Sequence, residues 1–136
     1  MICPLCDKVK DSIHHLFFQC EYSAQIWKMV KSKVIFRGLP NRLDAIVGKL
    51  AQYPFTNTIW NFINRSILAA SVYYVWHERN SRLFKKGKRT VSDLCDAIQN
   101  HVRMKLVLLK VKKSKAVIKA GQMWSLQWID DKYSFV

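Results

Sequence analysis

Cys3-Pro4-Leu5-Cys6, eight further residues, then His15-Leu16-Phe17-Phe18-Gln19-Cys20 is the stretch that most narrows what this chain can fold into. Three of the four cysteines fall within the first twenty residues, with a histidine five positions before the third. Three thiolates and one neutral imidazole make a complete tetrahedral set for zinc, and the spacing is that of a short zinc knuckle. Such a set fills every position on the ion, so no bound water is left to activate. The expected ligands are Cys3, Cys6, His15 and Cys20, and their expected role is to organise the chain.

Other uses of these residues fit less well. A Cys3–Cys6 disulfide would need an oxidising compartment, and no basic start, apolar run and small-residue cleavage site precedes the cluster. The expectation is therefore an intracellular protein, nuclear or cytoplasmic rather than secreted. A redox Cys-x-x-Cys opens a helix after a strand, whereas only Met1 and Ile2 precede Cys3. His14 competes for the fourth ligand position, but His15 gives the His-x4-Cys spacing of zinc knuckles; His14 is expected to be a neighbour that supports the site from outside.

Beyond the cluster the hydrophobic period is helical. Ile26, Trp27, Val30 and Val34 form one stripe from Ser23 onward, and the Gly38-Leu39-Pro40 break follows. Asn41, with Asp44 three residues on, opens a short helix that Pro54 ends. From Thr56 to about Phe84 the stripe Ile59, Trp60, Ile63, Ile67, Ala70, Tyr74 predicts a helix approaching 40 Å at roughly 1.5 Å per residue. Its middle, Ser66 to Trp76, is apolar nearly all round; eleven residues fall short of the ~20 a membrane span needs, so a buried helix is expected. Lys85-Lys86-Gly87-Lys88-Arg89 reads as a basic turn. Thr90 then reads as an N-cap with Asp93 at its third position, opening a helix whose stripe runs Val91, Leu94, Cys95, Ile98, Val102, Leu106, Leu109. Cys95 lies on that stripe and is expected to be a small buried hydrophobe. The lysine-rich stretch 110–119 fits a continued basic helix or a charged arm, and Met123, Trp124, Leu126 and Trp128 fit either packing on the helices or a short strand.

The expected class is mainly α, a zinc knuckle followed by about four helices. The parts are knuckle and first helix over 1–36, a helical region over 37–120 and a tail over 121–136, together one compact domain. Because the stripes of the two long helices omit the ligands, metal loss is expected to loosen mainly the front.

Cys3-Pro4-Leu5-Cys6, Ser12, His15-Leu16-Phe17-Phe18, Cys20, Ser23 and Ile26-Trp27 resemble the zinc-binding domain that follows the reverse transcriptase in plant LINE-type (non-LTR) retrotransposons. Trp76-His77-Glu78-Arg79-Asn80-Ser81-Arg82-Leu83-Phe84 is similar to the signature that follows that domain in the same elements. The resemblance covers about residues 1–85. It implies a partner, the reverse transcriptase part of the parent element, a role in holding RNA or DNA, and a detached fragment of a longer reading frame.

Against 23 Lys and Arg stand 9 Asp and Glu, a formal charge of +14, which favours a polyanion as partner. Charge alone leaves nucleic acid or an acidic membrane surface open; with the resemblance, RNA or single-stranded DNA is the expected partner, through Lys8 and Lys10 in the metal loop and Lys85, Lys86, Lys88 and Arg89 in the basic turn. The aromatics near the knuckle, Phe17, Phe18, Tyr22 and Trp27, are expected to serve mostly as core. No small-molecule substrate, membrane or catalytic role is expected. Asp130-Asp131 lacks the further carboxylate that two-metal chemistry needs, and Glu78 is expected to pair with Arg79, Arg82 or a nearby lysine. The alternative reading is a structural or protein-interaction module in which zinc only staples helices.

Overall fold

The computed structural model describes residues 1–31, 47–48, 59–84, 87–109 and 114–126. They form a mainly helical structure in the order α1 (Ile13–Phe18), α2 (Glu21–Val30), α3 (Ile59–Leu83), α4 (Val91–Leu108) and α5 (Lys115–Met123). Of the expected helix from Asn41 only residues 47–48 are described, and they are helical; its remainder and the tail beyond Leu126, including Trp128 and Asp130-Asp131, lie outside the described residues. No described residue belongs to a strand ladder longer than the single antiparallel bridge between Ile2 and Lys10.

That bridge closes a tight loop at the front. The Cys3 amide donates to Val9 O at 2.8 Å and the Asp11 amide to Met1 O at 2.8 Å, while Asp7 takes a left-handed φ of 57° to turn the chain. Ser12 then caps α1, its hydroxyl accepting from the His15 amide at 2.9 Å. This short helix was not legible in the pattern, since six residues show too little period to be told from a loop. Cys20 is the N-cap residue of α2, which therefore begins at Glu21, two positions earlier than its apolar stripe.

Helices α2, α3 and α4 pack together, α1 lies on α2, and α5 lies on α3. Ile26, Ile63, Val75, Leu94, Ile98, Val102 and Leu106 are completely or almost completely buried where they meet. Helix α4 begins as its sequence predicts: Thr90 accepts from the Asp93 amide and Asp93 returns a bond to the Thr90 amide, a reciprocal capping box. Cys95 is buried, with its sulfur 3.7 Å from Met29 Sδ, away from the other cysteines. The two readings of the lysine-rich stretch resolve in its second half into α5, capped by Ser114 and anchored by buried Val117, Ala120 and Trp124. Lys110, Lys112 and Lys113 lie outside the described residues.

One buried cluster runs without a break from Cys3 and Leu5 through the helix interfaces to Trp124. Two of the expected metal ligands, Cys3 and Cys20, belong to it. The front is thus continuous with the helical core, which the separate stripes of the long helices do not reveal.

Candidate metal centre

Three local structures bring the four expected ligands together. The closed front loop supplies Cys3 and Cys6, α1 supplies His15 from its third position, and the start of α2 supplies Cys20. The Cys20 amide donates to His15 O at 2.7 Å, which fixes the separation of the last two along the chain. One ligand atom from each of Cys3, Cys6, His15 and Cys20 lies within 4.8 Å of all the others. Cys3, His15 and Cys20 are buried and Cys6 is partly exposed at the edge.

The distances suit tetrahedral coordination. Metal–sulfur bonds of ~2.3 Å at the tetrahedral angle place two sulfurs about 3.8 Å apart, and a sulfur and an imidazole nitrogen about 3.5 Å apart. Cys3 Sγ and Cys20 Sγ are 4.0 Å apart, and Cys6 Sγ lies 3.3 Å from His15 Nε2. All four cysteines are free thiols. His15 Nε2 thus points into the cluster, leaving Nδ1 buried and without a protein partner.

The electrostatics call for a cation. Burial pushes the Cys20 thiol up to about 11, opposed by the Ser23 and Tyr22 amides and reinforced by repulsion from Cys3 and Cys6. Burial also disfavours the Cys6 thiolate, but the Lys8 and Val9 amides, with the Cys3 and Cys20 thiols, outweigh it and hold Cys6 below its ordinary value. A divalent ion removes the mutual repulsion and deprotonates a coordinating thiol outright. His14, the neighbour in sequence, is exposed, with its ring edge-on to Phe18 at 4.9 Å.

A second constellation holds the loop from behind. Glu78 is 1% exposed, and its carboxylate accepts from Arg82 Nε at 2.9 Å, from Arg89 Nε at 3.1 Å and from the Arg89 amide at 2.9 Å. Arg82 continues to the metal loop, donating to Pro4 O and Leu5 O at 3.2 Å each, and its guanidinium lies 4.7 Å from the centre of the Tyr22 ring. It also donates to Arg89 O, which accepts from Tyr22 Oη at 2.9 Å. Arg79 does not pair with Glu78; its Nε donates to Asp11 Oδ1 at 3.1 Å and its Nη2 to Asp11 Oδ2. The carbonyls between the two cysteines of Cys3-Pro4-Leu5-Cys6 are thereby fixed to the last turns of α3. Burial alone would raise the Glu78 carboxyl, but the Arg89 amide and the Arg82 and Arg89 guanidinium groups hold it below its ordinary value.

The expected nucleic-acid contacts divide. Lys10 and Lys88 are exposed, and Lys8 is exposed and pairs with Glu21 at 3.2 Å, a surface pair of little energetic weight. Lys85 and Lys86 lie outside the described residues. Arg89 differs from the expectation: its side chain is turned inward onto Glu78 and is committed to the fold. Near the knuckle Tyr22 and Trp27 are buried, so neither offers a ring face to an unpaired base. Exposed aromatics occur instead on α3, at Tyr73 and Trp76, inside the segment whose apolar composition reads as buried helix.

No family model, curated protein or solved structure matches this chain. Among the described residues no helix is long and apolar enough to cross a membrane.

Proposed function

We propose that the chain is a non-catalytic zinc-binding module that binds single-stranded RNA or DNA, of the kind its two motifs resemble, the zinc-binding domain associated with plant LINE-type reverse transcriptases. Zinc is the metal of choice because three thiolates and one imidazole at these distances suit its tetrahedral preference. Cys3, Cys6, His15 and Cys20 would hold it, and bound zinc would supply a rigid crosslink between the front loop, α1 and α2. The saturated ligand set speaks against metal-activated water.

The observation that carries the nucleic-acid reading is where the acids are spent. Of the nine acidic residues, Asp11 and Glu78 are turned inward onto arginines, Asp93 caps α4 and Glu21 pairs with Lys8. The inward network of Asp11 and Glu78 with Arg79, Arg82 and Arg89 carries only one net positive charge. Nearly the whole excess of +14 therefore lies outside it, and zinc with three thiolates lowers that by only about one. A chain with that charge attracts phosphate.

A second reading, a structural or protein-interaction module, is supported by the bonds from Arg82 to Pro4 O and Leu5 O, which tie the front loop to α3. Titration of the zinc-loaded chain with single-stranded RNA and DNA at several salt concentrations separates the two. Nucleic-acid binding predicts an affinity that falls steeply as salt rises; little binding at any salt would leave the bracing role alone.

A further inference from the structure

Helices α3 and α4 enclose a shallow cavity of about 360 Å³ lined by Ala69, Ala70, Tyr73, Tyr74, His101 and Lys105. The spacing explains it. Positions 69, 70, 73 and 74 share one face of α3, and 101 and 105 share one face of α4. Two alanines where the facing turns could carry large side chains leave the hollow, and the aromatic rings wall it. Tyr74 is fixed, with its hydroxyl 3.3 Å from His101 Nδ1 and the Arg89 guanidinium 5.9 Å from its ring centre. Tyr73 stands edge-on to Tyr74 at 5.2 Å and stacks with His77 at 6.0 Å, yet 57% of its surface remains exposed.

We propose that this cavity is a stacking site for one unpaired base of a single-stranded nucleic acid, with the Tyr73 ring as the platform and Lys105 as the contact to the adjoining phosphate. The inference rests on the nucleic-acid reading above and deepens it by placing the base contact on α3 and α4 rather than on the knuckle. Three features fit this occupant. An aromatic face held by its neighbours costs little ordering when a base lies on it. The phenol and imidazole groups around it are polar, which suits a heterocycle with hydrogen-bonding edges better than an aliphatic side chain. Among the described residues that line the cavity the one charged group is a lysine and none is a carboxylate, so the local charge matches a phosphate. Because a ring face accepts any base, the site predicts weak sequence preference and a preference for single strands over duplex, whose bases are already stacked.

The test is the binding of a fluorescent single-stranded oligonucleotide by the full zinc-loaded chain, as wild type and as Tyr73→Ala, Tyr73→Phe and Lys105→Gln, across a salt series. Circular dichroism of each variant confirms the fold. Tyr73→Ala is expected to weaken binding about 5- to 100-fold with the salt slope unchanged, and Tyr73→Phe to stay close to wild type. Lys105→Gln is expected to reduce the slope by about 0.7, the share of one phosphate contact on a single strand. Wild type that binds tightly while Tyr73→Ala binds equally well would overturn the stacking site and leave the nucleic-acid reading standing. Wild type that fails to bind at low salt would overturn both.

Discussion

Single residues divide this molecule's charges into those that hold the fold and those free to meet a partner. Glu78 is the clearest of the first kind, since it is buried and losing its charge strips both Arg82 and the partly exposed Arg89 of their partner. Glu78→Gln is expected to destabilise the protein by about 3 kcal/mol or more at neutral pH. The pH dependence has a fixed sign. The folded carboxyl titrates below the unfolded one, whose ordinary value is 4.5, so its contribution is complete above that pH and disappears as pH falls through the lower folded value. Denaturation curves at stepped pH should show the gap between wild type and Glu78→Gln closing on the acid side of 4.5; a gap independent of pH would contradict the role assigned to this charge. That Cys3, Cys6, His15 and Cys20 come together was legible in the sequence, because thiols and imidazoles at knuckle spacing have few other uses. The partners of Glu78 were only partly so. Arg82 lies one helical turn away, but Arg89 reaches back across a turn whose path the spacing alone does not give.

Whole elements show the same division in the basic turn after α3. Gly87 takes a φ of +97°, a region that side-chain-bearing residues rarely adopt, and this reversal sends Lys88 outward while returning Arg89 to Glu78. Neighbours in sequence thus have opposite duties. Lys88→Gln is expected to leave stability within about 0.5 kcal/mol of wild type and to weaken oligonucleotide binding modestly for all sequences alike. Arg89→Gln is expected to lower the unfolding midpoint clearly, because it strips Glu78 of a partner. Thermal unfolding and binding measured side by side on the two variants check this, and a stability loss confined to Lys88→Gln would reverse the assignment. The long helices followed from apolar period, and the N-cap of α4 from Thr90 with Asp93, signals local enough to read along the chain. The exposed Tyr73 face was hidden because a nearly continuous apolar run does not say which of its sides a neighbour covers.

Across the whole molecule, the continuous core and the Arg82 bonds make the metal loop part of the helical body rather than an appendage. Chelation should therefore reach further than the front alone. Hydrogen exchange after metal removal is expected to lose protection in residues 1–20, at the start of α2 and across the turn from Gly87 to Thr90, while the α3–α4 interface around Ile67 and Ile98 stays protected. Unchanged exchange in the turn would show that the loop braces nothing. Whether one zinc ion held by Cys3, Cys6, His15 and Cys20 organises the front of this fold is decided by native mass spectrometry of the zinc-supplied wild type, His14→Ala and His15→Ala. Wild type and His14→Ala should each carry one zinc per chain and His15→Ala should lose it or bind it weakly; full zinc on His15→Ala with none on His14→Ala, or no zinc on the wild type, would contradict this ligand assignment.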